Sequence, residues 1–126
     1  MGNDASRPVL GHWVDGKTYE GVGERRGDVY DPATGELTKH VAFAAPADVD
    51  AAVASAQAAF ASWRATSLTK RVQILFAFRE ALSDRREELA EIVTSEHGKV
   101  RSDALGEVMR GLEVVEFACG IPQLLK

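Results

Sequence analysis

The spacing of apolar residues changes once along the chain, close to residue 45. Before that point, apolar and polar positions alternate in short runs separated by turn formers, a pattern typical of β-hairpins. After it, apolar residues recur every three or four positions, which is the period of an amphipathic α-helix. The pattern predicts two hairpins within residues 12–44, followed by four helices within residues 46–120.

Two turn signatures predict where the hairpins reverse. Asp15 and Gly16 separate two short apolar or β-branched runs, and a type I′ turn needs positive φ at both central residues. The second turn spans residues 31–35, where Pro32 presets φ and Gly35 tolerates a left-handed exit. We therefore expect two separate antiparallel hairpins.

The strand that follows the second turn alternates imperfectly. Leu37, Val41 and Phe43 are expected to share one face, with His40 on the opposite face. Lys39 interrupts the apolar face. That face is therefore expected to be only partly buried.

The first helix is predicted to begin at Pro46, which suits the first helical position. Asp48 and Asp50 then fall in the first turn, where the helix dipole favours negative charge. The apolar residues of this helix form one continuous stripe. The stripe consists of Val49, Val53, Ala56, Phe60 and Trp63.

The second helix is predicted to have Thr66 or Ser67 as its N-cap and to run to about Ser83. Its centre, residues 72–78, is apolar almost all round. A helix of this kind is expected to need packing partners on more than one side.

Capping signals predict two further helices. Asp84 and Glu87 resemble a capping box at the start of a third helix, and Gly98 is a natural stop for it. Ser102 is the predicted cap of the fourth helix, which should end at Gly120.

Composition limits the classes of function. The 126 residues are enough for about one small domain, and 45% hydrophobic and 27% charged residues are ordinary for a globular protein. A net charge of -4 argues against a nucleic-acid groove or an anionic membrane surface as partner. Residues 1–11 carry turn formers and no apolar leader, so we expect a mobile tail and a cytoplasmic protein without a membrane span.

The cysteine and the histidines do not form a recognisable reactive or metal-binding motif. Cys119 extends the apolar stripe of the fourth helix, so we interpret it as a small core residue. His12, His40 and His97 lie in separate predicted elements and show no metal-ligand spacing. No catalytic, cofactor-binding or metal-binding residue is therefore predicted from these side chains.

Glu107 and Arg110 leave two interpretations open. They lie three residues apart on one helix face, so they could form a weak ion pair on a solvated surface. However, Gly106 and Gly111 lie in the same helix, where each glycine costs about 1 kcal/mol relative to alanine. Small residues beside an arginine allow close approach of a ligand, and a guanidinium binds a carboxylate through two hydrogen bonds. Arg110 is therefore a candidate anion-binding residue.

Several longer motifs resemble a known family. The segments DVYDPATGE, AFASWRATSLTKRVQILFAFREAL and EHGKVRSDALGEV, in this order, resemble the N-terminal part of the aldehyde dehydrogenase superfamily. The tail VMRGLEVVEFACGIPQLL is most similar to the CoA-acylating methylmalonate-semialdehyde dehydrogenases. The resemblance covers about the first quarter of a family member. It implies an α/β parent fold in which residues 12–126 form the N-terminal part of the NAD-binding domain.

The resemblance also implies an activity for the whole enzyme. Members of this branch are homotetramers that use NAD and CoA to convert methylmalonate or malonate semialdehyde into propionyl-CoA or acetyl-CoA, with loss of carbon dioxide, in valine breakdown among other pathways. It places the catalytic cysteine and the NAD site in segments that follow this chain. Arg110 matches one of two arginines expected to hold the substrate carboxylate. The chain alone is then expected to be inactive, and its main partner is the remainder of its own enzyme.

Two alternatives stay open. One is another aldehyde dehydrogenase of the same superfamily, acting on an aldehyde that has no carboxylate. The other is a stand-alone, non-catalytic helical interaction module, because the second helix is apolar on several sides.

Overall fold

A computed structural model describes residues 7–125 of the chain. The chain divides between Trp63 and Arg64 into two compact units. The first unit contains all the described strands and most of the first helix, and the second contains the remaining helices. The predicted order, short strands followed by helices, is confirmed.

The first unit contains five short strands. They are β1 (Val9–Leu10), β2 (His12–Val14), β3 (Lys17–Tyr19), β4 (Arg26–Tyr30) and β5 (Leu37–Ala42). Strands β2 and β3 form an antiparallel hairpin, whose turn has Asp15 at φ 54° and Gly16 at φ 72°. Both central residues have the positive φ that a type I′ turn requires, so this predicted turn is confirmed.

Strands β4 and β5 form the second predicted hairpin. Its turn is held by Asp31, whose Oδ1 accepts hydrogen bonds from the backbone nitrogens of Ala33 at 2.7 Å and Thr34 at 3.2 Å. Gly35 leaves the turn at φ 73°, the left-handed conformation expected for it.

Strand β1 corrects the prediction of a mobile tail over residues 1–11. Val9 pairs with His40 and Leu10 with Val41, so β1 adds to β5 as a parallel edge strand, giving the sheet order β1-β5-β4. Arg7 Nε also donates to the carbonyl oxygen of Leu37 at 2.8 Å. The prediction is wrong for this part of the tail, because the pairing is non-local and leaves no turn signal. Its first six residues lie outside the part of the chain that the structure describes.

The predicted apolar face of β5 is only partly buried, as expected, since Leu37 and Val41 are half-buried, but the more deeply buried residues lie on the opposite face. His40 and Ala42 are buried, whereas Phe43, on the expected apolar face, is 45% exposed. His40 Nδ1 lies 3.0 Å from Asp28 Oδ1 on the neighbouring strand. The hydrogen bond allows the imidazole to be buried, since a polar group with a partner loses less on leaving water.

The helices match the predicted number apart from one extra turn. They are α1 (Pro46–Ala65), α2 (Leu68–Asp84), α3 (Arg86–His97), α4 (Arg101–Cys119) and the short α5 (Ile121–Leu124). Ser67 caps α2, with its hydroxyl accepting from the backbone nitrogen of Lys70 at 3.3 Å. Gly98 ends α3 in the left-handed conformation at φ 82°. Both of these predicted helix ends are confirmed.

Two predicted helix starts are wrong. Asp84 is the last residue of α2 rather than a cap, and Arg85 alone separates α2 from α3. Val100 precedes α4 without a side-chain cap, and Ser102 lies inside the helix. Helix α3 thus begins one residue later than a cap at Asp84 implied, and α4 begins before Ser102. A single cap is worth only about 1 kcal/mol, so a cap residue in the sequence does not by itself fix the start of a helix.

The second unit is packed around small residues. Ala90 of α3 and Ala104 of α4 are both 0% exposed, where these two helices meet. Val72 of α2 and Leu112 of α4 complete the buried set of this unit. Residues of α2 that point elsewhere remain about half exposed, namely Ile74, Phe76 and Phe78. None of the helices within residues 7–125 combines the length and apolar character needed to cross a bilayer.

Candidate functional site

The candidate site lies on one face of α4. Residues 103, 106, 107 and 110 follow the helical spacing of three or four and therefore share this face. With Lys99 and Ser102 they line a shallow pocket with a volume of about 390 Å³, here called the Arg110 site. Its lining is Lys99, Ser102, Asp103, Gly106, Glu107 and Arg110.

Glu107 pairs with Lys99 rather than with Arg110. Lys99 Nζ donates a hydrogen bond to Glu107 Oε1, and the lysine side chain is only 17% exposed. This hydrogen bond holds the pKa of Glu107 below its ordinary value despite partial burial, and the charges of Lys99, His97 and Arg110 act in the same direction. Glu107 is therefore an ionised, paired carboxylate at neutral pH. The ion pair with Arg110 that the sequence allowed is not formed.

Arg110 is the cation of this site that remains available. It is exposed, and within residues 7–125 it has neither a hydrogen bond nor an ion pair shorter than 4.0 Å. A guanidinium presents a planar fork of donors that matches a carboxylate, so an unpaired arginine in a concave surface suits an anionic ligand.

The two glycines of α4 are not explained by packing within the described residues. A Cβ built on Gly106 or on Gly111 would have no neighbour within 4 Å. Each glycine nevertheless costs helix stability relative to alanine. Because Gly106 lines the Arg110 site, the open space above it belongs to that site.

Cys119 lies half-buried at the end of α4. Phe76, Arg79 and Glu116 line the same shallow surface, and no histidine among residues 7–125 lines it to activate a thiol. The interpretation of Cys119 as a core residue stays a prediction. Over the described part of the chain, no group of three histidine, cysteine or acidic side chains is placed to hold a metal ion.

A second carboxylate, which sequence reasoning treated only as a helix-dipole charge, organises the first unit. Asp48 is 4% exposed and accepts hydrogen bonds at 2.8 Å from Tyr19 Oη and from the backbone nitrogens of Val22 and Ala45. The backbone hydrogen bonds and the tyrosine hydroxyl lower the pKa of Asp48, and the same carboxylate raises the pKa of Tyr19. A proline at the first helical position followed by an acid two residues later was the available signal.

The similarity to known proteins extends over the segment that contains the Arg110 site. The sequence profile of the aldehyde dehydrogenase family matches residues 19–126. Malonate-semialdehyde dehydrogenase 2 of a Bacillus cereus strain is 42% identical over 117 residues, which are 93% of this chain and 24% of that protein. Malonate-semialdehyde dehydrogenase 1 of Geobacillus kaustophilus is 43% identical over 117 residues, again 93% of this chain and 24% of that protein.

Solved structures give a matching result. A Sinorhizobium meliloti 1021 protein, assigned as a methylmalonate-semialdehyde dehydrogenase and complexed with NAD, has a TM-score of 0.91 and 46% identity over 95% of this chain and 24% of its own. An NAD-dependent benzaldehyde dehydrogenase from Corynebacterium glutamicum has a TM-score of 0.82 and 30% identity over 97% of this chain and 26% of its own. The chain thus spans about a quarter of the length of the proteins that it matches.

Proposed function

The chain belongs to the aldehyde dehydrogenase family, and we propose that it forms the N-terminal part of an NAD-dependent, CoA-acylating malonate- or methylmalonate-semialdehyde dehydrogenase. The names of the Bacillus, Geobacillus and Sinorhizobium proteins support this assignment, because they share one substrate class. These substrates carry an aldehyde and a carboxylate. An enzyme that selects them needs a cation placed for the carboxylate.

The complete enzyme is proposed to act in the cytoplasm as a homotetramer. It would convert the semialdehyde, CoA and NAD into acetyl-CoA or propionyl-CoA, carbon dioxide and NADH. Bound NAD would accept the aldehyde hydride. The described residues do not fit an NAD site of the usual kind, because no glycine-rich turn joins a strand to a helix within residues 7–125. This chain is therefore expected to contribute substrate binding and not the redox chemistry.

Arg110 is the residue of this chain proposed to bind substrate. The observation that carries the proposal is its exposed guanidinium, which has no ion-pair partner among the described residues and lies in a concave, polar surface. A two-point contact with the substrate carboxylate would fix the orientation of a small molecule that otherwise offers little binding area. The negative charge of the substrate would thereby determine which aldehydes bind well.

The test is a substrate comparison in the full-length enzyme. Arg110→Ala should raise KM for malonate semialdehyde by about 100-fold, the size expected when a charged hydrogen-bond pair is lost. KM for a simple aldehyde such as propanal should change little. Arg110→Lys keeps the charge without the fork and should give an intermediate effect.

Arg101→Ala is the matched control. Arg101 is an exposed arginine of the same helix, paired with Glu87 at 2.6 Å and absent from the Arg110 site. Its removal should leave KM for both aldehydes unchanged. If Arg110→Ala changed KM for the two aldehydes equally, Arg110 would not be the anchor. An aldehyde without a carboxylate, as in the benzaldehyde dehydrogenase, would then be the better substrate class.

A further inference from the structure

The carboxylate of Glu107 could bind either of two cations, and the structure pairs it with the more distant one in sequence. Arg110 lies three residues after Glu107 on the same helix, and residues at this spacing are neighbours that favour an ion pair. Lys99 lies eight residues before Glu107, outside α4. It is nevertheless Lys99 that donates to Glu107 Oε1.

The position of Lys99 is set by the end of α3. Gly98 adopts φ 82°, and this left-handed conformation ends the helix. The N–H of Gly98 donates to the carbonyl oxygen of Thr94 at 2.8 Å. The chain then turns into α4, and the Lys99 side chain is largely buried while its ammonium group reaches Glu107. Packing of the aliphatic part of the lysine side chain fixes the position of its ammonium group beside Glu107.

The charges of the Arg110 site show why this pairing matters. The site contains two cations, Lys99 and Arg110, and two carboxylates, Asp103 and Glu107. Without the lysine charge the site would have an excess negative charge, which disfavours an anionic ligand. Glu107 would also be free to form an ion pair with the Arg110 guanidinium, which the ligand needs.

On the basis of the proposed role of Arg110, we propose that Lys99 is a positioning residue that holds Glu107 away from Arg110 and thereby keeps the Arg110 guanidinium free for the substrate carboxylate. Lys99 does not touch the substrate in this scheme. It acts only through Glu107, so removal of the Glu107 charge makes the lysine dispensable.

The test uses Lys99→Met in the full-length enzyme, because methionine keeps much of the buried stem and removes the charge. KM for malonate semialdehyde should rise about fivefold, the size of a partly exposed ion pair that competes with the substrate. KM for propanal and kcat for both aldehydes should stay close to those of the unchanged enzyme. The double variant Lys99→Met/Glu107→Gln should restore KM for malonate semialdehyde.

A second variant does not disturb the buried lysine. Glu107→Asp, at a half-exposed helix position, shortens the side chain so that it no longer reaches Lys99 but still lies three residues from Arg110. It should raise the same KM selectively. Arg101→Ala remains the control that changes neither KM.

The inference is overturned if Lys99→Met and the double variant have the same KM, or if Lys99→Met raises KM for both aldehydes alike. The two proposals can be told apart with Arg110→Ala. If Arg110→Ala is selective for malonate semialdehyde and Lys99→Met is not, only the role of Lys99 is wrong. If Arg110→Ala is not selective, the anchor and its positioning residue are both wrong.

Discussion

Asp48 in the first unit and Arg110 in the second are both charged residues on long helices, but their surroundings differ completely. Asp48 is buried and accepts hydrogen bonds from three different segments of its unit. Arg110 is exposed and, among the described residues, has no ion-pair partner. The contrast separates two uses of charge. A carboxylate whose acceptors are all engaged holds a fold together, whereas an unpaired guanidinium in a concave surface is available to a ligand.

The neighbouring charges reinforce this difference. Around Asp48, a backbone N–H at the start of α1 and another from the loop at Val22 are both directed at one carboxylate, so its removal would orphan several donors. Near Arg110, the carboxylate of Glu107, three residues earlier on the helix, is already bound by Lys99. Substitution of Asp48 is therefore expected to destabilise the fold, whereas the guanidinium of Arg110 stays available to a ligand.

The largest expected effect is on the Asp48 side of the comparison. Asp48→Ala leaves the Tyr19 hydroxyl and the backbone N–H groups of Val22 and Ala45 without their acceptor and should lower the melting temperature of the chain by about 10 °C or more. Asp50→Ala removes an exposed acid two residues further along the same helix and should change the melting temperature by less than about 2 °C. Equal effects of the two substitutions, measured by circular dichroism, would show that Asp48 contributes only to the helix dipole.

The pH dependence of stability should report the same contacts. The folded pKa of Asp48 is lowered, so its stabilising contribution is present above its ordinary pKa of 3.8 and is lost as pH falls through the folded value. The folded pKa of Tyr19 is raised, so its contribution is present below pH 10.0 and is lost as pH rises through the folded value. Asp48→Asn should remove the acid-side dependence and weaken the alkaline one, because the Asp48 carboxylate is the main cause of the raised pKa of Tyr19. Tyr19→Phe should remove the alkaline-side dependence. Urea unfolding at a series of pH values gives the free energy of unfolding of each variant. The assignment would be contradicted if the variants kept the same dependence on pH as the unchanged chain.

The glycines of α4 provide a smaller effect of opposite sign. Gly106→Ala and Gly111→Ala place a methyl group in open space inside a helix, so each should raise the free energy of unfolding of the chain by about 1 kcal/mol. Chemical denaturation measures both changes. A destabilised Gly106→Ala protein beside a stabilised Gly111→Ala protein would show that the space at Gly106 is already filled by a packed neighbour.

The smallest effect is expected for an exposed ion pair of the second unit. Arg79 of α2 donates to Glu116 of α4 at 2.7 Å and 2.9 Å, but both side chains are substantially exposed. Glu116→Gln should therefore shift the melting temperature by less than about 2 °C. A shift as large as that of Asp48→Ala would mean that burial of the charged group does not explain the difference in stability between the two substitutions.

Much of the fold could be predicted because its signals are local. The positive φ values at Asp15 and Gly16, the cap at Ser67 and the stop at Gly98 all follow from side chains within a few residues of the feature. The family could be predicted as well, since its motifs are continuous in sequence. Arg110 was a candidate anion-binding residue from the glycines in its helix, and the resemblance gave it the role of substrate anchor, which stays a prediction.

What local chemistry could not predict depends on contacts between distant segments. Strand β1 pairs with β5, a strand about thirty residues later, and His40 rather than the apolar face of β5 is buried. The sequence showed Asp48 only as a first-turn acid, although its partners Tyr19 and Val22 lie 29 and 26 residues away.

The order of elements, the turns and the family of this chain follow from its residues alone, because apolar period, backbone preference and motif identity are properties of short segments. The partner of each charge follows only from the folded chain. Glu107 had an equally plausible partner in Arg110, and the left-handed end of α3 brought Lys99 to it instead. Burial and pairing are decided by which distant groups meet, and that meeting is what turns one charge into a structural contact and leaves another free for a ligand.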